Sequence, residues 1–498
     1  MDPAVVAGAG TVQDIDALRA ARAVVVGLGA SGRAATAVLH EVGARVTVAV
    51  PDAEEAERAD LPAGVAVVAD RDPHRLAELV AATDPGLLVA SPGVPPANPV
   101  LASAARAGVD VWSEVELAWR IDRPSTRWLT LTGTNGKTTT VGMLASVLAA
   151  AGWHAPAVGN VGTPISTTVL DARAGGRPLD GLAVELSSFQ LHFTRSPSPL
   201  ASACLNITDD HLDWHGGPEG YRADKARVYE HTRVACVYNV ADGATRRMVE
   251  EADVVEGARA VGFTLAAPRV AEVGVVESHL VDRAFITDRH THGQVVADLA
   301  DLAHLAAGSG ASVPPHVVEN ALAAAALARA AGAAPEAVAQ GLRDYRGGPH
   351  RIELVATVDG VDYVDDSKAT NAHAAAASLA SVPPGRAVWI AGGLAKGASL
   401  HELVRDRADR LRGVVVIGVD QQPVLDALAR HAPEIPRTRI DPGEHEVMTA
   451  AVSAAARLAT PGDVVLLAPA CASMDQFDSY AHRGEAFAEA VRALAAQA

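Results

Sequence analysis

The feature that most constrains this chain is a recurring unit: a short run of branched apolar residues, a glycine-bearing turn, then a helix-forming stretch. "ARAVVVGLGASG" reads as strand and turn, and "RAATAVLHEVG" continues it as a helix. "ARVTVAV" is a second strand, "GLLVASPG" a later strand ending in a turn, and "VLASAARAG" another helix. The unit returns at "LTLTGTNGKTTT", "RAVWIAGG", "RGVVVIGVD" and "GDVVLLAPACASMDQF". Alternation of this kind predicts parallel sheets with helices on their faces, the α/β class. At 498 residues the chain is too long for one ordinary core. Three α/β segments in a row are expected, with the charged, Pro-containing "IDRPSTR" (121–127) as a linker after the first.

Composition narrows what such a chain does. Hydrophobic residues make up 49% and charged residues 20%, too apolar for a disordered chain. A net charge of −17 argues against a general nucleic-acid or membrane-surface binder, yet leaves room for an anionic substrate held by a few local cations. Cys204, Cys236 and Cys471 lack CxxC spacing, which points away from a disulfide framework or zinc site and fits a reducing cytosol. "MDPAVVAGAGTVQDIDAL" has no basic region followed by an apolar one, so no signal peptide is expected. No apolar run approaches the ~20 residues that span a bilayer. The Ala-rich "ENALAAAALARAAG" (319–332) reads as a buried helix.

The strongest local signal is Gly133-Thr134-Asn135-Gly136-Lys137-Thr138-Thr139. Its glycines let backbone N–H groups converge on phosphate oxygens where a helix begins. Lys137 would reach the outer phosphates and the Thr138 hydroxyl would ligate Mg²⁺. The spacing is GxxGKT, two residues shorter than the usual loop, and an ordinary glycine turn is the alternative. Gly27-Leu-Gly29-Ala30-Ser31-Gly32 follows a strand and opens a helix, the setting for a pyrophosphate. The acid expected to end the second strand is displaced to Asp52, beyond Pro51, which weakens a nicotinamide reading.

Glu185, in "AVELSSFQL", ends an apolar strand where a second Mg²⁺ contact could lie, though a surface acid would look the same. "NITDDHLDWH" packs Asp209, Asp210, His211, Asp213 and His215 into seven positions, which fits metal chemistry or an acidic loop with a helix cap. In "EGYRADKARVYE", Tyr221, Lys225 and Val228/Tyr229 share a helix face. A lysine facing inward there would be paired or chemically altered, whereas most such lysines reach to solvent. "VDDSKATN", "AGGLAKG" and "APACASMDQFDSYAHRG" are strand-to-loop transitions at the sheet edge where open α/β folds bind ligands.

The order of these pieces resembles the Mur ligase family of cell-wall enzymes. The resemblance runs through nearly the whole chain, from "GLGASG", "SPGVP" and "TGTNGKTTT" through "VGNVGTP", "VELSSFQL", "LNITDDHLD" and "YRADKARVYE" to "PHRIE", "DDSKATN" and "PACASMDQF". The last two look like the branch that adds D-glutamate. The resemblance implies three domains: a Rossmann-like UDP-substrate domain (1–124), a central P-loop ATPase-like parallel sheet (125–346) and a C-terminal Rossmann-like domain (347–498). It implies an ATP-dependent amide ligase that joins D-glutamate to UDP-N-acetylmuramoyl-L-alanine through an acyl phosphate.

Its site residues carry over one by one. Ala30, Ser31 and Ser91 would contact the nucleotide-sugar; Asn160 and Ser187 would contact the muramoyl-alanine. Gly133 to Thr139, Asn320, Arg351 and Asp366 would hold ATP, so the C-terminal domain is expected to close over the nucleotide. Two Mg²⁺ are implied, one on Thr138 and one on Glu185, His211 and a carbamylated Lys225. Lys368, Thr370, Lys396, Ser473 and Tyr480 would form the D-glutamate pocket. Where the family often keeps an acid to read uracil or ribose, this chain has Ala49 or Asp52. A soluble cytoplasmic monomer that binds neither nucleic acid nor membrane is expected. The rivals are a nicotinamide oxidoreductase, which would leave the second loop idle, a non-catalytic ATP-binding regulator and a folylpolyglutamate synthase.

Overall fold

The computed structural model describes residues 15–306, 313–348, 350–443 and 446–497. Residues 1–14, on which most of the leader reading rests, and Pro349 of "PHRIE" lie outside them. Three sheets carry the fold. In the first, β1 (Arg22–Val26), β2 (Arg45–Val50), β3 (Ala66–Ala69), β4 (Leu87–Ala90) and β5 (Asp110–Trp112) are all parallel, in the order β3-β2-β1-β4-β5. The order reverses beside β1, so a crevice opens at the C-terminal ends of β1 and β4.

The second sheet holds β6 (Arg127–Thr132), β7 (Ala157–Gly159), β8 (Gly181–Glu185), β9 (Ala201–Cys204), β10 (Ala235–Asn239), β11 (Arg259–Phe263), β12 (Glu272–Val276), β13 (His279–Asp282) and β14 (Gln294–Asp298). Its order is β14-β13-β12-β11-β10-β9-β6-β8-β7. From β7 to β12 the pairing is parallel; β12 and β13 form an antiparallel hairpin. The stretch near 276–295 thus lengthens the central sheet. β6 sits at the reversal, between β8 and β9.

The third sheet holds β15 (Glu353–Val358), β16 (Val361–Asp365), β17 (Ala387–Gly392), β18 (Leu411–Ile417), β19 (Arg437–Arg439) and β20 (Val464–Leu467), in the order β15-β16-β20-β17-β18-β19. Only β15 is antiparallel to its neighbour.

By compactness the chain falls into two units, Met1–Ala297 with Asn320–Leu342, and Asp298–Glu319 with Arg343–Ala498. Within the first, one apolar core runs from Val25, Val48 and Val89 through Leu117 and Ile121 to Trp128, Val184 and Leu186, so the first two sheets share it. The polar stretch 121–127 is therefore a packed corner and not a loose linker. Buried Asp122 accepts from the Trp128 indole at 2.6 Å and from Thr126 Oγ1 at 2.9 Å. Glu114, also buried, takes both the N–H and the hydroxyl of Ser166 at 2.6 Å. The Ala-rich run is a helix, Pro315–Ala330, and Ala321 to Ala328 have no exposure. Among the described residues no helix is long and apolar enough to cross a membrane.

Candidate active site

The first loop is held by its own glycines. Gly27 has φ +85°, and a Cβ on Gly32 would lie 2.0 Å from the Gly27 carbonyl oxygen and 2.5 Å from Ser91 Oγ. Only hydrogen at residue 32 lets the helix Ala30–Glu41 start this close to β1. The Ser91 hydroxyl, at the end of β4, donates to the Gly27 carbonyl at 2.9 Å. Ala30 and Ser31 begin the helix at the crevice. Ala49 is buried within β2, while Asp52 caps the helix Ala53–Arg58 and pairs with Arg71 at 2.6 Å. The displaced acid has a capping task that sequence reading did not supply.

The phosphate loop joins β6 to the helix Lys137–Ala150. Gly136 is the left-handed N-cap at φ +82°, and a Cβ there would strike Asn320 Oδ1 at 2.3 Å. Thr140 Oγ1 donates to Asn320 Oδ1 at 3.1 Å, so Asn320 backs the loop directly. Asn206, which sequence reading passed over, braces its other side. Its Oδ1 accepts from the Asn135 N–H at 2.8 Å and its backbone carbonyl from the Thr134 N–H at 3.0 Å. Lys137 Nζ donates to the carbonyls of Gly133 and Thr134 at 2.8 and 2.9 Å. Thr138 and Thr139 lie in the first helical turn, half-buried.

Glu185 is the last residue of β8, 1% exposed. Its Oε1 accepts from Asn160 Nδ2 at 2.9 Å, while its Oε2 is buried with no hydrogen-bond partner. A buried carboxylate oxygen left without a donor is costly, which makes it a fitting ligand for a cation. Asn160 is set by Gly159, whose positive φ brings the chain against the Glu185 carbonyl. Ser187 caps the helix Ser188–His192 in a reciprocal pair with Gln190.

Lys225 does not reach solvent. It is 2% exposed, and its Nζ donates to the Gly133 carbonyl at 2.9 Å and Thr132 Oγ1 at 3.2 Å. Burial, then the neighbouring Lys137 ammonium, pull its pKa down to about 7. Both lysines thus share one carbonyl of the phosphate loop. His211 stands at φ +51° on the loop leaving β9, half-exposed, its ring 4.8 Å from that of Phe189.

The dense stretch around His211 divides in two. Asp209 pairs with Arg222 at the surface and Asp210 bonds the His211 N–H, whereas His215 turns inward to Asp224 and Ser188.

In the second unit, the loops after β16, β17 and β20 gather the remaining candidates. Asp366 is buried beside Ser378, whose hydroxyl donates to it, and burial pushes its pKa up to about 7 against the pull of Arg351. Lys368 Nζ lies 3.7 Å from the centre of the Tyr480 ring. Thr370 donates its N–H to the Lys368 carbonyl at 2.8 Å. Lys396 (φ +50°) is exposed and Ser473 buried; their loops are zipped by paired hydrogen bonds between Leu394 and Ala472. Fully buried Arg483, not singled out in the sequence, donates to the Ser367 hydroxyl and carbonyl and to the Cys471 carbonyl at 2.9 to 3.1 Å.

Comparison with known proteins agrees along the chain. Residues 21–113 match the Mur ligase MurD-like N-terminal domain, 131–328 the Mur ligase middle domain, and 350–471 the Mur ligase glutamate ligase domain. The UDP-N-acetylmuramoylalanine--D-glutamate ligase of Streptomyces avermitilis is 56% identical over 95% of this chain and 98% of its own. That of Mycolicibacterium smegmatis is 45% identical over 95% and 97%. Among solved structures, the MurF ligase of Thermotoga maritima in complex with ADP shares the fold at a TM-score of 0.53 and 16% identity, covering 97% of this chain and 98% of that one. The UDP-N-acetylmuramate-alanine ligase of the same organism gives 0.53 at 18%, over 95% and 99%. With three domains matched in order and close relatives covering nearly its whole length, this chain belongs to the Mur ligase family.

Proposed function

We propose that the protein is an ATP-dependent ligase that joins D-glutamate to UDP-N-acetylmuramoyl-L-alanine, forming an amide during assembly of the peptidoglycan precursor. The observation that carries this reading is the meeting, at one edge of the central sheet, of a phosphate loop, a buried carboxylate oxygen without a donor and a lysine with a pKa of about 7. The chain that holds them is half identical to ligases of that name.

Carboxylate and amine do not condense in water at neutral pH, because the carboxylate is a poor electrophile with a poor leaving group. Transfer of the ATP γ-phosphoryl group to the alanyl carboxylate makes an acyl phosphate, and the D-glutamate amine displaces phosphate through a tetrahedral intermediate. The difficulty is charge, since two anions must meet. Lys137 and the loop N–H groups hold the phosphates. Lys225, whose ammonium gives up a proton near neutral pH, would add CO₂ as the free amine and release a second proton, so a cation becomes a carbamate anion. Thr138 on one side, and Glu185, His211 and carbamylated Lys225 on the other, would hold Mg²⁺, which supplies the positive charge that draws carboxylate and γ-phosphate together. Asn320, Arg351 and Asp366 are assigned to ATP. Ala30, Ser31 and Ser91 are assigned to the nucleotide-sugar, and Asn160 and Ser187 to the muramoyl-alanine. Lys368, Thr370, Lys396, Ser473 and Tyr480 are assigned to D-glutamate. The enzyme works as a cytoplasmic monomer on this reading.

The test is ADP release by the purified protein with ATP, Mg²⁺ and UDP-N-acetylmuramoyl-L-alanine, comparing D-glutamate, L-glutamate, L-lysine and no amino acid. Turnover that requires D-glutamate is expected. Turnover with another amino acid alone would keep the chemistry and overturn the acceptor; ADP release without an acceptor would leave an ATPase.

A further inference from the structure

Behind the metal-ligand candidates lies a buried polar chain that the reaction itself does not use. His215, its side chain fully buried, donates from Nδ1 to Asp224 Oδ2 at 2.7 Å. Its Nε2 accepts the Ser188 hydroxyl at 2.9 Å. His192 Nδ1 donates to Oδ1 of the same carboxylate at 2.8 Å, and Arg227 Nε stands 3.6 Å from that oxygen. Asp224 is only 5% exposed and Ser188 4%. The order Ser–His–Asp is that of a hydrolytic nucleophile, yet this serine is buried and its hydroxyl is held by the ring. The arrangement is that of a strut.

Two observations aim the strut at the site. Asp224 and Lys225 are consecutive on the helix Pro218–Ala226, so their side chains leave it about 100° apart. One enters the polar chain while the other enters the phosphate loop. That helix has little of its own to hold it, being nine residues long, preceded by Gly216 and Gly217 at positive φ, and interrupted by Gly220. Gly220 lacks a side chain because a Cβ there would lie 2.1 Å from the His215 carbonyl oxygen. The helix is therefore seated on His215 by backbone contact and by Asp224 together.

The other face of His215 leads to His211. The Phe189 ring stacks on the His215 ring at 5.5 Å and 3°, and lies tilted by 54° against the His211 ring at 4.8 Å. Trp214 closes the cluster, 4.8 Å from Phe189 and 4.5 Å from His215. A polar chain inside such a cluster, with both His215 nitrogens bonded, fixes one arrangement where apolar side chains could repack.

We propose that His215 and Asp224 are positioning residues for the second metal site, seating the helix that presents Lys225 and the ring stack that backs His211. The inference rests on the assignment of Lys225 and His211 as ligands made above. Its test uses the full chain in two measurements. The first is the ¹³C signal of the lysine carbamate on the protein in ¹³C-bicarbonate, without nucleotide. The second is the Mg²⁺ concentration for half-maximal ligase rate. His215→Phe, which keeps the ring stack and removes both hydrogen bonds, and Asp224→Asn are expected to lower carbamate occupancy at least fivefold. They should also raise half-saturating Mg²⁺ at least tenfold, with KM for ATP within twofold of the parent. His215→Gln, which restores a donor and an acceptor, should recover more than half of the carbamate and serves if the harsher variants do not fold. Variants with lower Tm but unchanged carbamate and Mg²⁺ dependence would reduce the strut to ordinary packing and overturn the proposal. A parent protein with no carbamate signal that Lys225→Ala removes would sink the assignment of Lys225, and the proposal with it; that failure shows in the parent, before any strut variant is made.

Discussion

Glu185 and Lys225 each place a charge where the folded chain offers little to offset it. Glu185 keeps a buried oxygen without a donor, so Glu185→Gln should leave the Tm unchanged or raise it, since an amide asks less of a buried site than a carboxylate. The same change should lower the ligase rate at least about 100-fold if the oxygen is a metal ligand, the scale of losing one electrostatic contact to the reacting charge. A variant both inactive and much less stable would mean that Glu185 is structural. For Lys225 the sign runs the other way from an ordinary lysine. Its pKa is depressed from 10.5 to about 7 in the folded chain, so between those values the unfolded chain binds more protons. Stability should therefore rise as pH climbs from about 7 to 10, with the penalty of the buried charge fully present below 7. Lys225→Met should be more stable than the parent at pH 6 to 7 in CO₂-free buffer, with the advantage shrinking by pH 10. Melting curves of the pair across that range check it, and a constant difference would show that Lys225 does not titrate there. At this scale the sequence was legible where a residue ends a strand, as Glu185 does, or sits in a glycine loop, as Lys137 does. Burial of Asp224 and His215 was not legible, because "NITDDHLDWH" and "YRADKARVYE" have the same composition whichever side chains turn inward.

Elements report differently, since strand ends are marked by glycine while contacts between elements carry no local mark. The turns from β1 and β6 into the helices that follow them were readable from "GLGASG" and "TGTNGKTTT", because turns this tight demand glycine at Gly27, Gly32 and Gly136. The corner at 121–127 was not readable; a linker and a packed turn use the same residues, and the Asp122 bonds to Trp128 and Thr126 tell them apart. Glu116 shows what such contacts are worth. It is buried on the helix Glu114–Ile121 and accepts the N–H groups of Arg195 and Ser196 at 2.8 and 2.9 Å, and Arg120 Nε at 2.9 Å. Glu116→Ala leaves two N–H groups at the end of the β8 crossover unpaired. The expected cost is about 2–4 kcal/mol, from two orphaned donors at about 1–2 kcal/mol each. Denaturant unfolding measures it, and a loss below about 0.5 kcal/mol would mean that water or a neighbouring side chain takes over the carboxylate's place.

For the whole molecule, the assignment of ATP to residues of both compact units has a thermodynamic consequence. Lys137, Thr138 and Asn320 belong to one unit, and Arg351 and Asp366 to the other. A ligand stabilises whatever part of the chain must unfold before it is released, by an amount that grows with its concentration over Kd. If both units contact the nucleotide, a non-hydrolysable ATP analogue with Mg²⁺ should raise the melting of both, whether calorimetry resolves one transition or two. At 100-fold excess over Kd the gain is about 2.7 kcal/mol for the unit or units that hold it. Arg351→Ala should then cancel the gain in the second unit and raise KM for ATP, leaving the first unit's response to ADP in place. Two transitions of which only the first moves would confine ATP to the central sheet, and the roles given to Arg351 and Asp366 would have to be withdrawn. The distinction is sharp because Asp366 carries a pKa near 7 beside Arg351. If the ionised Asp366 carboxylate accepts a hydrogen bond from the nucleotide, the ionised form binds it more tightly, so the second unit's response should grow as Asp366 deprotonates between pH 6 and 8.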